Sequence, residues 1–372
     1  MDQKQLFVVG AGVVGLTTAI RALEAGYKVI VFAEIFPTDP KSLKYTSFWA
    51  GANHLSFAES GALMEVLEKD TLNEFLDLIK QDPLVPAMTR THFGLYETLS
   101  GAQERLHHLS QFYPDFRSLD ASECPAGVVG EVVAGHSWTT ICIDVPRYLP
   151  YLLERFFKLG GQAFRTTIPS LSSLVSANER APMEVFSLNS SNNPQTPTLN
   201  PVAVINCTGL GAFSLQDVLD TDVYPTSGQT IIIRAPWVQP SITYYFANSD
   251  ISYIIPRQSG DIVLGGSWGV DDWHATSRPE IAKAIKERGV RIYPELLPPG
   301  KREKGDINDL DVIAECVGLR TSRKTGVRLE TTVLEVDGKK IPVIHNYGHG
   351  GGGYQSSWGS AKHVMKLLRE LD

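Results

Sequence analysis

Two places in this chain of 372 residues combine residue types and spacing that can do chemistry, and both are built from glycine. The first is Gly10-Ala11-Gly12-Val13-Val14-Gly15. Between a strand and a helix, glycines so spaced permit a tight turn and let free backbone N–H groups meet a pyrophosphate. Glu34 follows about twenty residues later, where a carboxylate can accept hydrogen bonds from a ribose hydroxyl. The pattern predicts a bound dinucleotide, suits FAD and NAD equally, and argues against a ribose 2′-phosphate.

The second place is His345-Asn-Tyr-Gly348-His349-Gly350-Gly351-Gly352-Gly353-Tyr354-Gln355-Ser-Ser-Trp358, between a predicted strand and the last helix. A flexible linker has no reason to join two packed elements of one sheet. Such a turn brings backbone N–H groups and a positive helix end against a ligand that carries or gains negative charge. Reduced flavin, anionic around N1 and C2=O, is such a ligand, so this run tilts the cofactor from NAD to FAD.

Other candidates read as bland. Gly265-Gly-Ser267-Trp-Gly269 matches the serine-elbow pattern of hydrolases, but the next helix begins too far on for an elbow. His54, His136, His345 and His349 lack metal-ligand spacing, and no metal site is expected. Cys124, Cys142, Cys207 and Cys316 form no CxxC pair and read as buried reduced thiols.

The elements that must position these residues begin with a buried strand over 6–10, a helix over 13–25 ended by Gly26, and a strand over 28–32. The crossover rule makes those strands parallel and opens a doubly wound sheet. Helical periodicity over 59–80, an aromatic and glycine-rich stretch near 89–101 and strand-like material over 127–142 read as an α+β insertion. A helix over 146–160 and a buried strand over 202–205 return to the first sheet. Residues 187–201, rich in Ser, Asn, Pro and Thr, read as a solvated excursion. Strands over 229–234, 253–255 and 261–264 follow, then a helix opened by a capping box, Ser277-Arg-Pro-Glu280. A strand over 341–345 and a helix to 371 finish the chain.

Composition is that of an ordinary globular protein, with 43% apolar and 20% charged residues. A net charge of -7 without a basic cluster offers no footprint for nucleic acid or an anionic membrane surface. No stretch approaches a bilayer span, no cleavable signal is evident, and the Asn-x-Ser/Thr triplets at Asn189 and Asn206 are expected to be accidental.

Assembled, these segments resemble the D-amino-acid oxidase family, which includes D-aspartate oxidases. The resemblance covers most of the chain. It rests on Gly10 to Gly15, Phe48-Trp-Ala-Gly-Ala-Asn53, Val204-Ile-Asn-Cys-Thr-Gly209, Tyr253-Ile-Ile-Pro256, Val317-Gly-Leu-Arg320 and the His345 to Trp358 run. It implies FAD as cofactor, with D-amino acid and O2 as reaction partners. The α-hydrogen would leave as hydride without a protein base, so no acid or base residue is expected. The imine would hydrolyse to a 2-oxo acid and ammonia, and O2 would become hydrogen peroxide.

The resemblance also implies roles. Arg320 would grip the α-carboxylate through its planar fork and also border the flavin, with the Tyr253 hydroxyl helping. Gly351 would offer its carbonyl to the amino group, and Gln355 would lie near the flavin pyrimidine. Thr46, Ser47, Gly51, Ala52 and Asn53 would line the cofactor with the two glycine runs, Ile168 and Gly209. The segment 235–252, in the substrate-covering position, carries Tyr244, Tyr245 and Phe246 but no Lys or Arg, so neutral D-amino acids are expected. His54, Arg234 or Arg257 could supply a charge for D-aspartate instead.

The expected fold is a Rossmann-like doubly wound FAD-binding domain of residues 1–53, 143–213 and 319–372. Interleaved with it would be an α+β substrate-binding domain of residues 54–142 and 214–318. The resemblance leaves a homodimer open. Family members commonly end in a Ser-Lys-Leu-type peroxisomal address, whereas this chain stops at Arg369-Glu-Leu-Asp372, so a peroxisome is expected on likeness and the cytoplasm otherwise.

Overall fold

Apolar runs broken by glycine turns set strand against helix from the start. The computed structural model describes residues 3–125, 131–176, 182–188 and 200–371. Strand β1 (Gln5–Val9) sends Leu6 and Val8 into one core and Phe7 and Val9 into another. A strand covered on both faces belongs in the middle of a sheet. It lies there in a seven-stranded sheet of order β15 (Arg328–Val336), β16 (Lys339–Tyr347), β8 (Ala203–Asn206), β1, β2 (Lys28–Ala33), β6 (Gln162–Arg165), β7 (Glu184–Phe186). The inner pairs are parallel, and β15–β16 and β6–β7 are antiparallel.

Helix α1 (Val13–Glu24) crosses from β1 to β2 and shares one core with α4 (Val145–Lys158) and α7 (Gly353–Arg369). The short helix α5 (Ser172–Val175) covers the other face over Phe7, Phe32 and Phe164. The doubly wound arrangement is present. Helix α2 (Leu63–Gln81) packs on α7, and a Cβ at Gly359 would lie 2.1 Å from the Leu67 carbonyl oxygen. The two helix backbones therefore touch where only glycine permits it.

A nine-stranded sheet runs β13 (Gly269–Val270), β9 (Val223–Arg234), β12 (Asp261–Gly265), β11 (Ile251–Pro256), β10 (Ser241–Tyr245), β3 (Ala87–Tyr96), β5 (Ala134–Ile143), β4 (Arg117–Leu119), with β14 (Val312–Arg323) also on β9. Helix α6 (Pro279–Ile292) seals one face through Ala282 and Ile285 against Ile231, Ile242, Tyr244, Ile254 and Leu264. Strand alternation sends Thr230, Thr243, Tyr253 and Gly265 to the opposite face. That face meets the first half of the molecule. A Cβ at Gly51 would touch Ile255, and one at Gly318 would touch Trp49.

Several details differ from the sequence expectations. The division drawn at 318/319 falls inside β14, because strand pairing and not chain order sets where that segment belongs. Helix α2, assigned to the substrate half, buries Leu72, Phe75 and Leu78 in the core of the first. The Ser277 capping box does not form. Helix α6 has no side-chain cap, and Ser277 Oγ donates to Glu315 at 2.7 Å and accepts from Gln229 at 2.6 Å. Helix α3 (Leu99–Phe112) was not expected; Thr98 caps it by accepting from the Gly101 N–H. Asn189 and most of 187–201 lie outside the described residues. Among the described residues no helix is long and apolar enough to cross a membrane.

Candidate active site

The parallel strands end on one edge of the seven-stranded sheet, and their last residues lead into Gly10, Glu34, Gly209 and Gly348. A crevice at the carboxyl ends of such strands is where this kind of sheet holds nucleotides. Gly10 has φ +107°, and a Cβ at Gly15 would lie 1.9 Å from the Gly10 carbonyl oxygen, so α1 starts directly against β1. Neither α1 nor α7 has a side-chain cap at its N-terminus, and Gly353 lies against Val13. Two positive helix ends with glycine at the capping position thus converge, which suits a ligand bearing phosphates and a ring that gains negative charge.

The other expected cofactor residues surround this cradle. Ser47 Oγ accepts from the Val13 N–H at 3.0 Å, and Tyr354 donates its hydroxyl to the Ser47 carbonyl at 2.9 Å. Thr46 and Ser47 open a single 3-10 turn whose chain continues through Gly51, Ala52 and Asn53. Buried Arg257 clamps that chain by donating to the Gly51 and Ala50 carbonyls at 2.9 and 3.1 Å. Glu34, just past β2, meets Lys44 at 2.7 Å on the surface. Gly209 has φ +60° where the chain leaves β8, and Ile168 packs beside the core under β2. The residues fit a flavin dinucleotide.

Across from the cradle, Arg320 and Tyr253 each lie flat on glycine. A Cβ at Gly228 would stand 2.3 Å from Arg320 Nη2, and one at Gly265 would stand 2.1 Å from the Tyr253 ring. Arg320 donates to the Ser227 and Ser267 carbonyls at 3.0 and 3.3 Å, and no carboxylate pairs with it among the described residues. The turn Gly265-Gly266-Ser267 therefore brings the two side chains together. Gly351 abuts the Arg320 stem, and the Trp268 ring stacks 4.6 Å from its guanidinium while remaining 65% exposed. No sequence signal marked Trp268, whose segment resembles only a serine elbow without its helix.

Two expected pocket residues need correction. His54 is fully buried, with Nδ1 at 2.9 Å from the Tyr113 hydroxyl and Nε2 at 2.9 Å from the Glu68 carbonyl. Burial lowers its pKa to about 4, so it is neutral and has no nitrogen to spare for a substrate. Tyr244 points into the core under α6 and donates to Glu97 at 3.0 Å. The period of two puts its neighbour Tyr245 on the site face instead. Of the two other candidate cations, Arg234 pairs with Asp261 at 3.0 Å, and Arg257 is taken up by the Gly51 and Ala50 carbonyls.

Gln355 is buried and donates to Glu68 Oε1 at 2.6 Å. Glu68, whose pKa burial raises, also accepts from Ser56, which contacts His108 at 2.7 Å. No sequence signal marked Glu68, since its spacing is that of any residue on an amphipathic helix. Burial pushes the Cys207 thiol up to about 12, which leaves it inert beside the cradle. No metal-holding cluster occurs among the described residues.

A cradle of two helix ends at the edge of a doubly wound sheet, faced by a separate sheet bearing an unpaired arginine, defines a flavoprotein of the oxidoreductase class. Residues 5–367 match the model of the DAO family, FAD dependent oxidoreductase, and the chain belongs to that family. It is 33% identical to a D-aspartate oxidase of Cryptococcus neoformans, covering 99% of this chain and 97% of the relative. It is 32% identical to a D-amino-acid oxidase of Schizosaccharomyces pombe, over 98% and 96%. Among solved structures, glycine oxidase from Geobacillus kaustophilus shares the fold at TM-score 0.73 and 16% identity, over 99% of this chain and 95% of that one. FAD is the cofactor.

Proposed function

We propose that this enzyme oxidatively deaminates D-amino acids, giving a 2-oxo acid, ammonia and hydrogen peroxide. The observation that carries the reading is Arg320, a guanidinium held in place by two carbonyls and Trp268 yet left without a carboxylate partner among the described residues. Its fork matches the α-carboxylate of an amino acid, and fixing that group at two points aims the α-carbon. Tyr253 supplies a hydroxyl beside it. The Gly351 carbonyl accepts from the substrate amino group, a contact that the lack of a side chain there permits. Gln355, held by Glu68, keeps its amide beside the uncapped start of α7.

When bound in the cradle of Gly10 to Gly15 and Gly350 to Gly353, FAD would supply a two-electron acceptor for the α-hydrogen that O2 would reoxidise. The protein's part is then binding, alignment and exclusion of water, and orientation of bound reactants is worth about 7–11 kcal/mol of barrier. The D configuration rests on the activities for which the relatives are named.

The test is anaerobic mixing of the flavin-loaded protein with D-alanine, D-glutamate, L-alanine and sarcosine in separate cuvettes. Bleaching of the flavin band by either D-amino acid and not by L-alanine supports the reading. Bleaching by sarcosine alone, or by none of the four, overturns it.

A further inference from the structure

Beyond Tyr253, the same face of the nine-stranded sheet carries a set of buried polar atoms that the protein does not satisfy. Thr243 stands directly opposite Tyr253 on one side and Gly94 on the other. The Thr243 Oγ1, Tyr96 hydroxyl and Tyr245 hydroxyl each lack a hydrogen-bond partner, and Thr243 and Tyr96 are 1% exposed. The Tyr96 and Tyr245 rings stack at 4.7 Å, and the Tyr96 hydroxyl lies over Gly94, where a Cβ would come within 3.3 Å of it. Native proteins pair nearly all such groups, so an unpaired cluster calls for a ligand.

Charge says which ligand. Arg105 of helix α3 places its guanidinium 5.3 Å from the Tyr245 ring centroid and 4.9 Å from that of Phe57. Its hydrogen bond goes to the Ser56 carbonyl, and no carboxylate pairs with it among the described residues. Three hydroxyl donors beside an uncompensated cation favour an acceptor-rich anion over an alkyl chain. Tyr245 and Tyr253 are diagonal neighbours on adjacent strands, about 7–8 Å apart. A group bound there belongs to the same molecule whose α-carboxylate Arg320 holds.

We infer that Arg105, Tyr96, Thr243 and Tyr245 form the subsite for a side-chain carboxylate, so that D-aspartate and D-glutamate are preferred substrates. This rests on the proposed deamination of D-amino acids. The covering segment 235–252 lacks Lys and Arg, and the cation comes from a helix that the segment does not contain.

The experiment compares kcat/KM for D-aspartate, D-glutamate and D-alanine in the flavin-loaded wild type and in Arg105→Gln and Tyr245→Phe. A dicarboxylic substrate should exceed D-alanine in the wild type. Arg105→Gln should lower the acidic-to-alanine ratio by about 100-fold, and Tyr245→Phe by about 10-fold. Titration of the flavin band with succinate and with acetate gives a second readout without turnover, in which Tyr245→Phe weakens succinate selectively. The inference is overturned if D-alanine bleaches the flavin and neither dicarboxylic substrate does. It is equally overturned if both variants leave the ratio and the succinate titration unmoved. Failure of all three substrates would instead sink the deamination reading itself.

Discussion

Gln355 Nε2 donates to Glu68 Oε1 across 2.6 Å, tying the first turn of α7 to α2 next to Gly352. Burial raises the Glu68 pKa, so the folded chain holds this proton over a range where the unfolded chain has released it. The stability it contributes is therefore full below the ordinary value of 4.5 and is lost as pH rises through the raised folded pKa. A tenfold difference in proton affinity between the folded and unfolded chain is worth about 1.4 kcal/mol. Glu68→Gln should flatten this fall, which thermal unfolding of wild type and variant between pH 5 and 8 would read.

The buried histidines act with the opposite sign. Burial lowers His54, His345 and His349 to about 4 and His92 to about 3, against an ordinary 6.5. The unfolded chain takes up their protons first, so stability should fall as pH drops from 6.5 towards 4. Replacing His54 with Gln should reduce that acid sensitivity and leave the substrate order unchanged. Retention of acid sensitivity, or an altered substrate order, would contradict the assignment of His54 to the core.

Arg320→Lys keeps the charge and loses the fork. We expect kcat/KM to fall by an amount worth about 2–5 kcal/mol while the flavin spectrum is retained. Steady-state O2 consumption beside the absorbance of the purified variant separates those two outcomes.

Trp268 braces Arg320 from the solvent side. A cation–π contact at a partly exposed site is worth about 0.5–2 kcal/mol. Trp268→Leu should raise KM by a corresponding factor with little change in kcat, measured in the same assay.

Gly228→Ala would set a Cβ within 2.3 Å of Arg320 Nη2, on the floor of the proposed substrate site and away from the cradle. The variant should bind FAD and lose turnover. Gly15→Ala would place its Cβ 1.9 Å from the Gly10 carbonyl and should lose the cofactor instead. Flavin content after desalting distinguishes the two.

The cradle was legible in the sequence because its glycines serve the backbone, and backbone requirements depend on local order. Gly10 to Gly15 and Gly348 to Gly353 each lie between an apolar run and a helical period, so their immediate neighbours mark the strand, the turn and the helix. Arg320 and Tyr253 were legible through family likeness. The side-chain pocket was not. Whether Tyr244 or Tyr245 faces the site depends on a register that one residue of slip reverses. Arg105 sits on a helix whose apolar positions Ala102, Leu109 and Phe112 mark its buried side but say nothing of what its partly buried arginine covers. Glu68 and Gln355 lie 287 positions apart, and only the packing of α2 on α7 joins them.

That packing also bears on how the protein is made. Strand β1 pairs with β8, β8 with β16, and α1 is covered by a helix that ends at Arg369. A ribosome delivers β1, α1 and β2 first, yet the core they share with α7 cannot close until nearly the whole chain has emerged. The first nucleotide-binding segment synthesised must wait, apolar and incomplete, for the last. Flavin capture should therefore wait until α7 has left the ribosomal tunnel, and a nascent chain stalled before residue 328 should hold none.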